Sequence, residues 1–285
     1  MDSQNLPSPN DKSFIEKLKK TVNQFLNISY INTSGAINSL SSDESYPQEI
    51  RYAAASIVEK EARRIRNIKQ IIDKASRIKP DEIVSAEKMD DDWISRFFNT
   101  IEDVTENTMQ NLWAQILAGE VKHPHSFSLR TLDVLRNMTK DDAELFSNSI
   151  RSYYYDGYIL TEDNYGLNLE DRIALCEMGL LSPDELTKTI TITRDKEINR
   201  INKDYLFFIT KENSKSVEVH FRCRSLTRAG KELLILVEQG NNYDLFAYIA
   251  NMFKKAGVST VSLHKVKQWK EDNSVDYYIF PEKRY

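Results

Sequence analysis

Carboxylates are the side chains of this sequence best suited to chemistry, because a cluster of them can hold the divalent metal that a hydrolase uses. Residues 90–106 contain six of them, namely Asp90, Asp91, Asp92, Glu102, Asp103 and Glu106. Glu102 and Glu106 lie four residues apart, so a helix would place both on one face. We expect that face to be polar, and no histidine follows at metal-ligand spacing. A metal-dependent hydrolase is therefore only our second alternative, and we predict a solvated acidic surface with no cofactor and no bound metal.

The sequence "EVKHPH" brings together a glutamate and two histidines, Glu120, His123 and His125. The Glu-x-x-His spacing would suit a di-iron site if these residues lay on an unbroken helix. Gly119 is expected to end the helix and Pro124 to prevent it from resuming. The second Glu-x-x-His that such a site needs is also missing. We therefore predict a surface contact loop, since loops often carry binding residues.

A third candidate is a basic surface on the second half of the chain. Its members are Lys211, Lys215, His220, Arg222, Arg224, Arg228 and Lys231. We expect them on a hairpin with its tip at 213–215 and on the helix that follows, where they would contact nucleic acid. The helix in the position of a recognition helix, "LNLEDRIALCEMG", has a net charge of −2 and would be repelled by phosphates. Nucleic-acid binding is therefore the first alternative to a protein partner.

The sequence gives little support for nucleophilic catalysis or nucleotide binding. The sequence has no G-x-S-x-G elbow and no phosphate-binding loop. Cys176 and Cys223 fall in apolar patterns, so we predict two inert core thiols. The tyrosines of "YYYDGY" (Tyr153 to Tyr155 and Tyr158) could stack on bases, but we favour packing between domains.

The first half of the chain has the periodicity of amphipathic helices. The pattern predicts a helix from Phe14, a long helix over 47–78, a core helix over 90–119, and two further helices before residue 157. The lysines of the first helix leave a membrane-surface role as its alternative. The long helix is basic between Lys60 and Lys79, whereas the segment from Asp81 to Glu106 is acidic. We expect these two segments to pair with each other.

After Gly157 the pattern changes to a short helix, alternating strands and the helix "LTRAGKELLILVEQ", which is typical of a winged-helix domain. A final helix and two strands predict a small α/β unit. We therefore predict a mainly α protein with a smaller α+β part. Its expected parts are a flexible N-terminus with one amphipathic helix (1–46), a helical bundle (47–156), a winged-helix-like domain (157–240) and a small C-terminal α/β unit (241–285).

Composition limits the classes of partner and the cellular compartment that we expect. The net charge is −4, which gives no global basic field to attract nucleic acid or an anionic membrane. No stretch is apolar enough for a membrane span, and the N-terminus lacks a signal-peptide core. With only two cysteines, a reduced cytoplasmic setting is expected.

Several blocks carry a resemblance to a known family. These are "DDDWISRFF", "NLWAQILAGEV", "PHSFSLRTLDVLRNMTKDDAELF", "LCEMGLL" and "LTRAGKELL". Together they resemble domain of unknown function 2806, an uncharacterised bacterial family, over about residues 50–285. The resemblance implies a fold and a bacterial cytoplasmic setting, and it transfers no reaction or catalytic residue. Some bacterial proteins of this kind act in stress response or anti-phage defence, and we extend this expectation to the present chain.

The function predicted from the sequence is that of a non-enzymatic binding or regulatory protein. Its expected partner is another protein or a second copy of itself.

Overall fold

The computed structural model describes residues 9–29, 41–78, 83–212, 215–238, 242–269, 275–277 and 281–285. The chain forms two compact units, residues 1–140 and residues 141–285. The second unit takes residues from each of the predicted parts 47–156, 157–240 and 241–285. The predicted tip of the hairpin at 213–215 lies partly outside the described residues.

The first unit is helical. Its described residues include the helices α1 (Pro9–Ser29), α2 (Gln48–Ala75), α3 (Asp91–Ile101), α4 (Asn107–Lys122) and α5 (Leu129–Asn137). Its core contains a group of stacked and edge-on rings: Trp93 lies 4.9 Å from Phe97, and Phe97 lies 5.5 Å from Trp113. The ring of Phe25 from α1 stacks on Phe98 of α3 at 4.4 Å. The amphipathic helices predicted from Phe14 and over 47–78 are confirmed as α1 and α2.

The single core helix predicted over 90–119 is wrong. The chain leaves the helix after Ile101 and starts α4 at Asn107, because the Glu106 carboxylate accepts the Met109 N–H at 2.7 Å and caps a new helix. Apolar spacing continues across this break, so periodicity alone could not reveal it.

Gly119 does not end its helix, which was the second error in this region. α4 continues to Lys122 and its C-cap is His123. A Cβ atom at position 119 would lie 2.7 Å from Cε2 of Phe127. Glycine therefore serves close packing at this position rather than termination.

The expected pairing of the basic and acidic segments is confirmed around Arg64. Its guanidinium lies 3.1 Å from a carboxylate oxygen of Glu102 and 3.8 Å from one of Asp103. Further along α2, the Lys74 ammonium donates to the side-chain oxygen of Asn107 at 2.6 Å.

The second unit combines helices with two antiparallel sheets. Its helices are α6 (Lys140–Tyr153), α7 (Leu169–Glu177), α8 (Arg228–Leu234) and α9 (Tyr243–Lys255). Its strands are β1 (Tyr154–Tyr155), β2 (Tyr158–Leu160), β3 (Leu186–Ile192), β4 (Lys196–Arg200), β5 (Tyr205–Thr210), β6 (Val217–Ser225), β7 (Thr260–Trp269), β8 (Val275–Tyr277) and β9 (Lys283–Arg284). The first sheet has the order β1-β2-β6-β3; the second has the order β4-β5-β7-β8, with β9 also paired to β7.

The predicted fold class, a helical bundle followed by a winged-helix-like domain and a small α/β unit, is wrong. The protein is a sizeable α+β protein with two antiparallel sheets. The hairpin expected between β5 and β6 does not form, since β5 pairs with β4 and β7 whereas β6 pairs with β2 and β3. Both segments are strands, as predicted, but the side-chain pattern of a strand does not tell which strand it pairs with.

The C-terminal helix and strands were predicted correctly as elements, but they do not form a unit of their own. Phe246 and Phe253 of α9 pack edge-on against Phe207 of β5, with ring centroids 6.4 Å and 6.3 Å apart. Phe253 also contacts Phe221 of β6 at 6.5 Å. One core thus joins α9 to strands of both sheets.

Candidate functional site

The three residues predicted as a contact loop are divided between two elements: Glu120 lies in α4, whereas His123 and His125 lie in the segment 123–128 that joins α4 to α5. We call this segment the contact loop. The His123 N–H donates to the Gly119 carbonyl at 2.9 Å, which closes the last turn of α4. At the other end, Ser128 is the N-cap of α5 and accepts the Thr131 N–H. The loop is therefore bounded on both sides by capped helices.

Glu120 holds this loop from inside the protein. Its side chain is 1% exposed, and one carboxylate oxygen accepts the His125 N–H at 2.7 Å while the other accepts the Phe127 N–H at 3.0 Å. Burial raises the pKa of Glu120, although the backbone N–H groups that it accepts act in the opposite direction. The carboxylate thus bridges two alternate residues of the loop.

Two aromatic residues fix the end of the loop. The Trp93 indole N–H donates to the Phe127 carbonyl at 2.8 Å, and both side chains are buried. The Phe127 ring lies against Gly119, where a side chain would not fit. The backbone of Phe127 is therefore held through its N–H by Glu120 and through its carbonyl by Trp93.

The outer surface of the loop presents His123 and His125, which are both exposed. His125 has a φ of 70°, in the left-handed region that is costly for residues other than glycine. Its Nε2 atom lies 3.4 Å from a carboxylate oxygen of Glu87. Strained backbone at an exposed, fixed position is a feature that clusters at functional sites.

The segment before α3 extends this surface. The Ser85 N–H donates to the Lys122 carbonyl at 2.9 Å, and the Lys17 ammonium of α1 donates to the Ser85 carbonyl, also at 2.9 Å. Burial lowers the pKa of Lys17. These bonds place Glu87 beside the loop.

The predicted basic surface does not lie on one hairpin and the helix after it. Its members lie on β6 (His220, Arg222 and Arg224), on α8 (Arg228 and Lys231) and in the connection between β5 and β6 (Lys211 and Lys215). On β6, the Arg222 guanidinium lies 2.6 Å from Asp163 and 3.6 Å from Glu162, and its pKa is raised by its hydrogen bond to Asp163. His220 shares a hydrogen bond with Thr189 at 2.9 Å. Arg224 donates to the carbonyls of Ser182 and Pro183. The β6 side chains are thus engaged within the unit.

The remaining basic residues differ in exposure. Lys211 is 4% exposed, and its ammonium donates to the Lys215 carbonyl at 2.8 Å. Arg228 forms an ion pair with Glu232 at 2.7 Å. Lys215 and Lys231 are exposed.

Glu102 and Glu106, the two acidic candidates that lie four residues apart, have different structural roles. Glu102 pairs with Arg64, and burial raises its pKa, whereas Glu106 caps α4. Within the described ranges, no three His, Cys, Asp or Glu side chains converge where they could hold a metal ion.

The cysteines and tyrosines lie in the second unit, where they are fully or partly buried. Cys223 is buried, which raises the pKa of its thiol, and Cys176 is half-buried with its thiol donating to the Ser182 carbonyl at 3.5 Å. The Tyr155 hydroxyl hydrogen-bonds to Asn199, and the Lys188 ammonium lies 4.6 Å from the centre of the Tyr158 ring.

The turn between β1 and β2 was missed in the sequence. Its two residues, Asp156 and Gly157, have φ values of 43° and 93°. Asp-Gly between two apolar segments is the signature of a two-residue hairpin, so this turn was available from the sequence.

Comparison with known proteins bears on the first half of the chain. Residues 52–157 match the family described as "Protein of unknown function (DUF2806)", which confirms the resemblance over this range and includes the contact loop. The blocks quoted from the second half lie outside the match. No curated protein and no solved structure matches the chain. Among the helices that the structure describes, none is long and apolar enough to cross a membrane.

Proposed function

We propose that this protein is a non-enzymatic binding protein that engages a protein partner through the contact loop. The observation that carries the proposal is Glu120, whose buried carboxylate accepts two backbone N–H groups of the loop. These bonds give a six-residue surface loop one backbone conformation. A loop that is already ordered loses less conformational entropy on binding than a flexible one.

The burial of Glu120 is costly in itself. A carboxylate loses hydration inside a protein, and the raised pKa of Glu120 records that its charged form is disfavoured there. An apolar side chain at this position of a core helix would avoid this cost. The benefit of the carboxylate therefore lies in the shape of the loop, which supports a role for that shape in binding.

The chemistry of the exposed side chains fits a polar protein surface. His123 and His125 carry imidazole nitrogens that donate and accept hydrogen bonds, and Glu87 adds a carboxylate beside them. Their presentation on a fixed backbone favours recognition of a specific arrangement of donors and acceptors.

The nucleic-acid alternative has less support. It depends on the basic surface, in which Arg222 and Arg228 lie against carboxylates and Arg224 against carbonyl oxygens. A phosphate would have to replace these partners. A role in stress response or anti-phage defence stays a prediction.

The proposal is tested by affinity purification of the full-length chain from its native host. We compare the wild type with His123→Ala/His125→Ala and with the matched pair Asn111→Ala/Gln115→Ala, which removes two exposed side chains of α4. We expect a host protein that the wild type and the control pair retain and the loop pair loses. Retention of the same proteins by all three would contradict the proposal.

A second variant separates side chains from loop shape. Glu120→Gln keeps both imidazoles but removes one of the two acceptors. We expect it to weaken binding of the same host protein at least tenfold. Unchanged affinity would show that loop shape does not matter for binding.

A further inference from the structure

The two sheets of the second unit end in edge strands of opposite character. β3 forms one edge of the first sheet and pairs with β6 through all seven of its residues in regular register. β4 forms one edge of the second sheet and pairs with β5. Among the described residues, the outer side of each of these strands has no strand partner.

An edge strand presents unpaired backbone N–H and C=O groups that invite another strand. Proteins commonly protect such edges with charged side chains, proline, a bulge or a short strand. β4 is short and carries Lys196, Glu197 and Arg200 among its five residues. β4 is therefore a protected edge.

β3 has none of these protections in effect. It is longer, it has neither proline nor a register shift, and its single charged residue is Lys188. The Lys188 ammonium lies 2.5 Å from the Asp156 carboxylate and 4.6 Å from the centre of the Tyr158 ring. These contacts draw the charge back onto the protein's own turn instead of leaving it along the open edge.

The sequence of β3 is complementary to itself. Thr187, Thr189 and Thr191 alternate with Leu186, Lys188, Ile190 and Ile192, and all three threonines are exposed. When two copies run antiparallel about Thr189, this residue faces its own equivalent and Thr187 faces Thr191. Threonine pairs across strands are favourable, and Lys188 then faces Ile190 rather than a second lysine.

We propose that β3 pairs antiparallel with β3 of a second copy of this chain, which joins two four-stranded sheets into one continuous sheet. This surface is distinct from the contact loop, and neither proposal depends on the other.

Light scattering coupled to size-exclusion chromatography tests this proposal on the full chain over a dilution series. The chain has a mass of 33.1 kDa, and we expect the wild type to show twice that mass at high concentration. Thr189→Lys and Thr189→Glu should each be monomeric, because like charges then face each other across the symmetry axis. An equal mixture of the two variants should form dimers again, since lysine then faces glutamate.

The mixture also guards against misfolding, because a misfolded variant would not be rescued by its partner. Ile198→Lys on the protected edge β4 is the matched control and should leave the dimer intact. A wild type that stays monomeric at every concentration would overturn the proposal, even if β3 bound an extended segment of another protein. Dimers that persist in both Thr189 variants would also overturn it.

Discussion

The two ends of α4 use the same side chain for opposite purposes. Glu106 at its start is exposed, and the N–H groups of Thr108 and Met109 lower its pKa. Glu120 near its end also accepts backbone N–H groups, yet burial raises its pKa. Hydrogen bonds alone therefore do not set the direction of a pKa shift, because loss of hydration outweighs them at Glu120. Glu106 caps the start of a helix while exposed to water, whereas Glu120 is buried and holds the backbone of a loop.

The largest effect is expected where the buried carboxylate is changed. In Glu120→Gln the amide NH₂ must face one of the two backbone N–H groups, which leaves that buried group without an acceptor. We expect a loss of about 3 kcal/mol in the free energy of unfolding. Urea denaturation measures it, with the exposed Gln115→Ala as the control that should change little. If Glu120→Gln loses less free energy of unfolding than the control, Glu120 does not have this structural role.

Packing at Gly119 should show the next largest effect. Gly119→Ala places a methyl group 2.7 Å from the Phe127 ring, whose backbone is fixed by Glu120 and Trp93. We expect destabilisation of about 1–2 kcal/mol, although alanine has the higher helix propensity. A more stable variant in the same denaturation experiment would indicate that the ring moves freely and that the loop is not rigid.

Backbone strain at His125 gives a smaller effect. His125→Gly and His125→Ala both remove the imidazole, but only glycine adopts a φ of 70° without steric cost. The glycine variant should therefore be about 1 kcal/mol more stable than the alanine variant. Equal thermal stability of the two would argue against strain in the loop.

The pH dependence of the two glutamates should have opposite signs. The folded-state pKa of Glu120 is raised, so its contribution to stability is greatest at low pH and is lost as pH rises through that pKa. The folded-state pKa of Glu106 is lowered, so its contribution is present above the ordinary carboxyl range and is lost as pH falls through that pKa. Denaturation at several pH values should show Glu120→Gln costing more at low pH and Glu106→Gln costing less. Parallel pH profiles of the two variants would contradict the opposite pKa shifts of the two glutamates.

The sequence predicted α1, α2 and α5 of the first unit, because each buries one face and its apolar spacing is local, but it merged α3 and α4 into one helix. It failed where the structure depends on distant partners. β5 and β6 were both predicted as strands, but they belong to different sheets, and a local side-chain pattern does not specify which strand another strand pairs with. A contact loop was predicted from Glu120, His123 and His125, but the hydrogen bonds by which Glu120 holds the backbone of the loop were not predicted. The burial of Glu120 depends on the surrounding core, which local spacing does not describe.

Amide hydrogen exchange at His125 and Phe127, measured in the wild type and in Glu120→Gln, tests most directly whether the buried carboxylate fixes the contact loop. If the buried carboxylate fixes the loop, both amides are protected from exchange in the wild type. In Glu120→Gln, protection should fall at these two positions, while the amides of α4 up to Leu117 stay protected. If both amides exchange as slowly in the variant as in the wild type, Glu120 does not hold the loop and the proposed function loses its support.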